Sequence, residues 1–374
     1  MNEKIKILFV IPNLQGGGAE RVFVHLIRHI DREQFVPFLA IGSLEGAYLR
    51  YLPKDIPIYE LNASRARKAL IPLIRLVRRL RPDIVFSTLG LSVAVAMLRP
   101  FIPRDTLLIA RSGNSISAYL KDVGRENIIK KIIYWLANVL IFKSSHCVIA
   151  QSNFMLQDAL NTLPVDKKKI KTIYNPVDIS YILKIVGDLK PSFHGSGPHL
   201  VAVGRLHWQK GYDILLKALP NVCKLYPEGT LTILGEGEER LHLESLAIEL
   251  KIENNIRFLG FVDNPYPYIQ KADMLVLSSR YEGFANVLLE SLALGTPVIA
   301  TDCPGGNREV ITDGVNGWLS PNEYPAGLSD VILKALNNLE AIDSKAMMYD
   351  ISKRFNVGTI CKEYEKIFLE TINQ

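Results

Sequence analysis

Short apolar runs of strand length alternate along the chain with longer segments in which apolar residues recur at helical spacing. In the first half these runs read KILFVIP, FVPFLAIG, DIVFST, LLIARS and HCVIAQS. A second series follows with LVAVGRL, LTILGEG, IRFLGFV, MLVLSSR and PVIATDC. Strands that alternate with helices are typical of βαβ units around a parallel sheet. The pattern therefore predicts an α/β protein.

The two series are separated by LKPSFHGSGPH, residues 189–199, whose Pro, Gly and Ser content indicates a linker. We expect two Rossmann-like, doubly wound domains facing a cleft, an N-terminal one of residues 1–188 and a C-terminal one of residues 200–355. Residues 356–374 are expected to form a helix that packs back on the N-terminal domain. In such sheets ligands bind outside the carboxyl ends of the strands, so the loops there are the candidate sites.

Charge is distributed unevenly between the two halves. Residues 1–180 hold 26 Lys/Arg against 14 Asp/Glu, or +12, and residues 181–374 hold 18 against 24, or −6, which sum to the net +6. A basic half predicts an anionic partner, which could be nucleic acid, a membrane surface or a phosphorylated substrate.

The four cysteines are far apart and form no CxxC pair, which argues against a disulfide framework or a zinc site and fits a reducing cytoplasm. The apolar stretch from Ile5 to Pro12 runs into glycines and is interpreted as a buried strand, not a signal peptide. The longest apolar run, residues 132–142, is too short to span a bilayer. We therefore expect a cytoplasmic protein.

Several loops between a strand and a helix could hold an anion. Gly16, Gly17 and Gly18 precede a predicted helix whose N-terminus would favour a phosphate or carboxylate. Their spacing differs from that of a dinucleotide fingerprint, which argues against dinucleotide binding. Dinucleotide binding and a merely tight turn remain the two alternatives to an anion site. In VGRLHWQKGYD, Arg205 and Lys210 suit a diphosphate, although they could also be solvated surface cations. LGEGEER and CPGGNREV are two further glycine-bearing junctions.

Two glutamates stand eight positions apart in SSRYEGFANVLLESLALG. Glu282 is expected in the loop before a helix and Glu290 inside it, which separates their α-carbons by roughly 10 to 12 Å. Retaining glycosidases place their carboxylates about 5 to 5.5 Å apart, so that pairing is excluded. The spacing fits the sugar and the ribose of a nucleotide sugar, whose hydroxyls a carboxylate binds. The alternative is an ordinary acid at a helix start and a solvent-facing charge.

An ordered set of motifs covers nearly the whole chain: GGGAERV, YNPVD, GRLHWQKGYD, LGEGEER, LGFVDN, SSRYEGFANVLLESLALGTPVIATDCPGGNREVI and GVNGWL. With this set the chain resembles the retaining glycosyltransferases of family 4, which have the glycosyltransferase B fold. The resemblance implies a nucleoside-diphosphate sugar as donor and gives Arg205, Lys210 and Glu282 the catalytic positions. Glu290 would hold the ribose hydroxyls. The other implied donor-binding positions are Gly16, Gly17, Gly18, Gly235, Gly260, Phe261, Val262, Gly283, Phe284, Ala285 and Asn286.

The implied reaction needs stabilisation of a departing nucleoside diphosphate more than a strong base. No metal or other cofactor is expected, and Glu282 is not expected to be a covalent nucleophile. Many relatives carry an N-domain histidine near the donor sugar, but the corresponding loop here reads ARSGNSIS. Arg111, Ser112 and Asn114 are the candidate acceptor-side groups, as in the branch acting on bacterial surface polysaccharides and lipid-linked saccharides. A structural role for Arg111 is the alternative.

Two segments of the basic half resemble helices that lie on anionic lipid. Residues 64–82 contain seven cations and no acid on an amphipathic pattern, and ENIIKKIIYWLANVLIF carries Lys130 and Lys131 beside Trp135. In either case the helix could instead pack on the sheet with its cations in water.

Together these features predict a cytoplasmic retaining glycosyltransferase, in peripheral contact with the inner face of the cell membrane. It would move a sugar from a nucleoside-diphosphate sugar to a lipid-linked oligosaccharide or a surface polysaccharide. A UDP-sugar is expected as the donor in preference to a GDP-sugar. A sugar-nucleotide epimerase or hydrolase on the same fold is one alternative, and a nucleic-acid-binding protein that uses the basic half is another. Against nucleic acid, the cations lack interleaved aromatic residues and the second half is acidic.

Overall fold

A computed structural model describes residues 3–63, 65–187, 191 and 196–373. Its strands are β1 Ile5–Ile11, β2 Phe35–Ile41, β3 Ile58–Glu60, β4 Ile84–Thr88, β5 Leu107–Arg111, β6 Cys147–Ala150, β7 Ile170–Thr172, β8 His199–Val203, β9 Thr230–Leu234, β10 Ile256–Gly260, β11 Met274–Leu277, β12 Val298–Thr301 and β13 Gly317–Ser320. Its helices are α1 Gly18–His29, α2 Ala66–Leu80, α3 Ser92–Ala96, α4 Ile116–Glu126, α5 Ile128–Ser144, α6 Asn153–Thr162, α7 Ile179–Ile185, α8 Tyr212–Leu225, α9 Arg240–Glu249, α10 Tyr266–Lys271, α11 Asn286–Ala293, α12 Asn307–Val310, α13 Pro325–Leu336, α14 Ser344–Arg354 and α15 Val357–Ile372.

The chain forms two compact units, Met1–Pro176 with Val357–Gln374, and Val177–Asn356. The N-terminal domain is predicted to end at residue 188, but the structure places α7 in the second unit. There the Val177 amide donates to the Phe355 carbonyl at 2.8 Å, and α7 packs against α11. Most of the expected linker, residues 189, 190 and 192–195, lies outside the described residues.

The first unit is built on a seven-stranded parallel sheet in the order β3-β2-β1-β4-β5-β6-β7. Side chains alternate between the faces of each strand, so Ile7 and Phe9 of β1 join one core while Leu8 and Val10 join the other. Helices α1 and α15 cover the first face, and α2 to α6 cover the second. Strands buried on both sides explain the continuous apolar runs in the sequence.

The second unit has a six-stranded parallel sheet in the order β10-β9-β8-β11-β12-β13. Helices α8, α9 and α13 pack over one core of this sheet, and α11 packs against α10 and α14. The expectation of two Rossmann-like, doubly wound units is therefore confirmed. The sequence analysis missed β3, β7 and β13, which are edge strands of only three or four residues.

Among the residues that the structure describes, no helix is both long enough and apolar enough to cross a membrane.

Candidate donor site of the second unit

The order of the second sheet changes direction between β8 and β11, which are neighbours in space but lead to opposite edges of the sheet. Ligands of doubly wound sheets bind outside the carboxyl ends of the strands at such a switch point. The two loops that leave this point, residues 204–211 after β8 and 278–285 after β11, are the ones in which Lys210 and Glu282 were predicted to act. The fold thus brings together two motifs that lie 72 residues apart.

Lys210 and Glu282 form a direct ion pair at this point. Lys210 Nζ lies 2.6 Å from Glu282 Oε1, and the side chains are 20% and 8% exposed. The hydroxyl of Ser279, which is fully buried, donates to the same carboxylate oxygen at 2.6 Å. Hydrogen bonds to a charged group are shorter and stronger than those between neutral groups. This arrangement holds the lysine and the carboxylate in a fixed position before any ligand is bound.

The two loops are also fastened to one another by Arg280. Its guanidinium forms a bidentate pair with Asp213 at 2.8 Å for both bonds, donates to the Trp208 carbonyl at 2.7 Å and lies over the Trp208 ring. The side chain of Gln209 donates to the Tyr281 carbonyl at 2.9 Å. A planar guanidinium is well suited to such a bidentate contact. These contacts fix the turn from which Lys210 projects.

Gly211 allows the first loop to approach the second. It has a φ of +62°, which side chains disfavour, and a Cβ at this position would overlap the Ser278 carbonyl. The Ser278 hydroxyl donates to the Lys210 carbonyl at 3.0 Å, one residue before the glycine. The glycine of the QKG motif therefore has a packing role that the sequence alone did not show.

Both glutamates of the motif are buried, each about 6% exposed. α11 begins at Asn286, so Glu282 lies in the loop before it and Glu290 lies inside it, as expected. Burial contradicts the part of the alternative in which Glu290 is a solvent-facing charge. The N-cap of α11 is Ala285, whose side chain cannot cap the helix, and a helix N-terminus of this kind favours an anion.

Burial changes the titration of the neighbouring groups. It raises the pKa of the Cys303 thiol to about 12, with Glu282 adding to the effect, and in the same way it raises the pKa of the Tyr212 phenol above its ordinary value. Neither group ionises near neutral pH, so neither is a candidate nucleophile or base. For Asp213, burial would raise the pKa, but the hydrogen bonds and charge of Arg280 outweigh it and the pKa is lowered.

The other predicted donor-binding residues of this unit end strands of the same sheet. Arg205 follows β8 and is exposed, with no side-chain partner in the part of the chain that the structure describes. Gly235 follows β9, and its amide donates to the carbonyl of Gly260 at the end of β10 at 2.8 Å. Phe261 is 62% exposed and Val262 is half-buried. The remaining predicted contacts are Gly283, Phe284 and Ala285, which are buried in the loop before α11, and Asn286, which begins the helix and is half-buried.

The glycine loop of the first unit has a different character. α1 begins at Gly18 with Gly17 as its N-cap, and a Cβ on Gly17 would overlap the carboxylate of Glu20. Gly16 has a φ of +127°. A carboxylate therefore already lies beside the N-terminus at which the sequence analysis expects an anion. The donor role of these three glycines stays a prediction.

The candidate acceptor-side residues differ in burial. Arg111 is 2% exposed, and its Nη2 donates to Asn175 Oδ1 at 2.5 Å within the first unit. Its guanidinium lies beside the hydroxyl of Tyr364 on α15, and burial lowers the pKa of Arg111 while Tyr364 opposes part of that effect. Ser112 and Asn114 are half-buried. The burial of Arg111 favours the structural alternative for that residue.

The contacts that position Lys210 were not found from the sequence. Ser279, Arg280 and Asp213 all lie inside motifs that the sequence analysis quoted, but their partners are three to 72 residues away. The sequence does show an arginine in one motif and an aspartate in the other. Only the sheet order, in which β8 and β11 are neighbours, shows that these two side chains meet.

Two family models match the chain, one in its N-terminal half and one in its C-terminal half. Residues 16–181 match "Glycosyltransferase Family 4" and residues 190–353 match "Glycosyl transferases group 1".

The curated relatives are similar over most of the chain. The N-acetylgalactosamine-N,N'-diacetylbacillosaminyl-diphospho-undecaprenol 4-alpha-N-acetylgalactosaminyltransferase of Campylobacter jejuni is 29% identical over 366 residues, which is 91% of this chain and 95% of that protein. The lipopolysaccharide core biosynthesis glycosyltransferase LpsE of Rhizobium meliloti is 27% identical over 307 residues, 81% of each chain.

Solved structures match over the full length. HepE of Anabaena, in complex with UDP and glucose, superposes with a TM-score of 0.78 at 21% identity and covers 97% of this chain and 99% of its own. Sucrose-phosphate synthase of Thermosynechococcus elongatus gives a TM-score of 0.81 at 16% identity, covering 98% and 99%. At these identities the structures establish the fold.

Proposed function

This chain belongs to the family 4 glycosyltransferases of the glycosyltransferase B fold, and from that membership we propose a more specific reaction. It transfers a sugar, a hexose or an N-acetylhexosamine, from a UDP-sugar to a lipid-linked oligosaccharide or surface polysaccharide, with retention of the anomeric configuration. The observation that carries the proposal is the Lys210–Glu282 pair at the switch point of the second sheet.

Lys210 would stabilise the departing diphosphate. Its ammonium is only partly exposed and is held by Glu282, so little reorganisation is needed when an anion arrives. Arg205 is exposed in the same loop and would add a second cation. The position of the α11 N-terminus, directly after the loop that carries Glu282, supports the same assignment, because a helix N-terminus favours phosphate.

Glu282 and Glu290 would bind the sugar and the ribose. One helix turn and a loop separate them, so the two carboxylates can face different parts of one nucleotide sugar. A buried carboxylate that faces vicinal hydroxyls makes strong, directional hydrogen bonds.

The proposed transfer needs no metal and no covalent intermediate. Glu282 Oε1 is already bonded to Lys210 and Ser279, which makes it a weak candidate for a metal ligand or for a free nucleophile. The donor phosphate would accept the proton of the attacking acceptor hydroxyl on the same face of the sugar.

The choice of UDP and of the acceptor rests on relatives. The Anabaena neighbour was solved with UDP and glucose, and the name of the Campylobacter relative describes an undecaprenol-linked acceptor and an α-linked N-acetylgalactosamine. A lipid-linked acceptor would place this chain at the inner face of the cell membrane, on the cytoplasmic side.

Thermal denaturation with UDP-, GDP- and ADP-sugars tests the donor. A saturating ligand at about 100 times its Kd stabilises the native state by about 2.7 kcal/mol, so the correct donor should raise the Tm by several degrees. Glu290→Ala should remove that rise, and Glu249→Ala, at an exposed glutamate that ends α9, should retain it. Absence of stabilisation by every nucleotide sugar would refute the donor assignment.

Transfer itself is tested by incubating the stabilising donor with undecaprenyl-diphosphate-linked saccharides and determining the anomeric configuration of the product by NMR. An α-linked product from an α-configured donor supports retention. Release of free sugar or an altered sugar nucleotide without acceptor would identify the hydrolase or epimerase alternative. Salt-sensitive binding of random DNA without donor binding would favour the nucleic-acid alternative.

A further inference from the structure

Helix α5 exposes a stripe of large apolar side chains along its whole length. Six of them, between 37 and 64% exposed, follow one helical face: Ile128, Ile129, Ile132, Ile133, Leu136 and Leu140. Scattered exposed apolar residues are normal, but a contiguous patch usually marks a contact surface.

The opposite face of α5 is fixed to its own unit. Phe142 and Asn138 are buried there, and the Trp135 indole donates to the Thr162 carbonyl at 3.1 Å. α5 is thus apolar on two sides, and only one side is used by the fold. The exposed stripe cannot turn inward without losing this packing.

The charged residues of α5 itself are all cationic. α5 carries Lys130, Lys131 and Lys143 and no Asp or Glu. Lys169 Nζ donates to the Lys143 and Ser145 carbonyls at 3.0 and 3.1 Å, which brings the lysine triplet of residues 167–169 to the C-terminal end of the helix.

Helix α3 packs against both α2 and α5, and all three helices lie on the same face of the sheet. The apolar side of α2 is buried on the sheet through residues such as Leu73 and Val77, so this helix has no apolar face left for lipid on that side. Its outward side presents exposed cations, Arg67, Lys68 and Arg75 among them. The layer of helices to which α2 and α5 belong therefore carries an apolar stripe on α5 and exposed cations on α2.

We propose that α5 docks on an anionic phospholipid bilayer, with its exposed stripe in the boundary between headgroups and acyl chains and the cations of α2 near the headgroups. The inference extends the proposed function, since a lipid-linked acceptor lies at such a surface, but it concerns a different part of the molecule. Charge selects the bilayer over a second copy of the chain. The first unit carries 28 Lys/Arg, 26 in residues 1–176 and two in 357–374, against 16 Asp/Glu, 13 and three, so two copies would oppose +12 to +12.

Co-sedimentation of the full chain with vesicles tests the proposal. Vesicles of phosphatidylcholine and phosphatidylglycerol in equal parts should bind the wild type at physiological ionic strength, and phosphatidylcholine alone should bind it more weakly. Ile132→Gln with Leu136→Gln should lower binding to the mixed vesicles at least about tenfold at every salt concentration, because the apolar contribution is not screened.

Lys68→Gln with Arg75→Gln should lower binding by about tenfold at low salt and by much less at high salt, since its contribution is electrostatic. The matched control is Leu241→Gln with Ile248→Gln on α9, which removes two apolar side chains of the second unit that are even more exposed, 78% and 63%, and should leave vesicle binding unchanged.

Unchanged vesicle binding by the α5 variant would overturn the proposal. So would a wild-type dimer in light scattering that the α5 substitutions dissociate, with no binding to vesicles, because the stripe would then cover a second copy. Donor stabilisation by a nucleotide sugar serves as the separate readout. If it persists in the α5 variant while vesicle binding fails in the wild type, this inference fails and the proposed function stands.

Discussion

The two units end their sheets in polar loops of opposite character. In the second unit the polar side chains at the strand ends pair with one another near the surface, as Lys210 does with Glu282 and Arg280 with Asp213. In the first unit Arg111, which ends β5, is buried and donates a hydrogen bond to the neutral side-chain amide of Asn175. In the second unit these charged groups pair with one another, whereas in the first unit the charge of Arg111 is enclosed by the fold.

This difference teaches that a charged residue at a strand end is not by itself a site residue. What distinguishes Lys210 is a partner that is itself charged and buried, together with a loop held by contacts from a second motif. Substitutions in the second unit should therefore affect turnover before stability, and those in the first unit should affect stability before turnover.

Lys210→Ala should give the largest effect, a fall in kcat of about a hundred- to a thousandfold, because it removes the cation nearest Glu282 from the departing diphosphate. The fold should be retained, since the Arg280–Asp213 pair still holds the loop. Steady-state kinetics and circular dichroism measure the two outcomes. Lys217→Ala, a half-exposed lysine one helical turn beyond Asp213, is the control and should remain close to wild type. Near-normal turnover of Lys210→Ala would remove this lysine from the reaction.

Arg111→Lys should lower the free energy of unfolding by about 3 kcal/mol, because lysine keeps a charge in a buried place without the reach and fork of the guanidinium. Arg111→Met should cost less, since it removes the charge along with the hydrogen bond to Asn175. Urea denaturation measures both. If Arg111 instead contacts the acceptor, the lysine variant should be as stable as the wild type and more active than the methionine variant.

Ser279→Ala should reduce kcat about tenfold with little change in KM or Tm, because Glu282 loses one hydrogen bond but keeps its ion pair with Lys210. Ser279→Thr restores a hydroxyl and should recover part of the activity. Ser278→Ala provides the comparison, since that hydroxyl bonds only the Lys210 backbone carbonyl. Equal effects of the two alanine substitutions would mean that Ser279 merely supports the loop.

The sequence predicted the sheets better than it predicted the surroundings of the side chains. Buried parallel strands leave long apolar runs, so ten of the strands were recognised, whereas β3, β7 and β13 are short edge strands without such a run. Lys210 and Glu282 were placed correctly at strand ends because a motif is local in sequence. The Arg280–Asp213 pair joins residues 67 positions apart, which no local pattern reveals.

The sequence also did not predict which side chains are buried. An apolar helix such as α5 has the same residue pattern whether one or both of its faces are covered, so the exposed stripe could not be told from core. Arg111 ends β5 and Arg205 follows β8, so both lie at the carboxyl end of a strand, and only the packing of Tyr364 and Asn175 around Arg111 shows that it is enclosed. Side-chain enclosure depends on contacts from distant parts of the chain.

The smallest expected effect concerns a half-buried histidine of the first unit. Burial, followed by the charge of Arg99, lowers the pKa of His146, whose neutral Nδ1 accepts a hydrogen bond from the Leu108 amide at 2.9 Å. The unfolded chain therefore binds this proton more readily than the native state, so the contribution to stability is complete above the ordinary histidine pKa of about 6.5 and is lost as the pH falls below it. His146→Gln should make the Tm decrease less between pH values of about 7.5 and about 5.5, whereas His242→Gln, at an exposed position on α9, should follow the wild type. Identical Tm profiles for the wild type and both variants would show that His146 does not contribute to the pH dependence of stability.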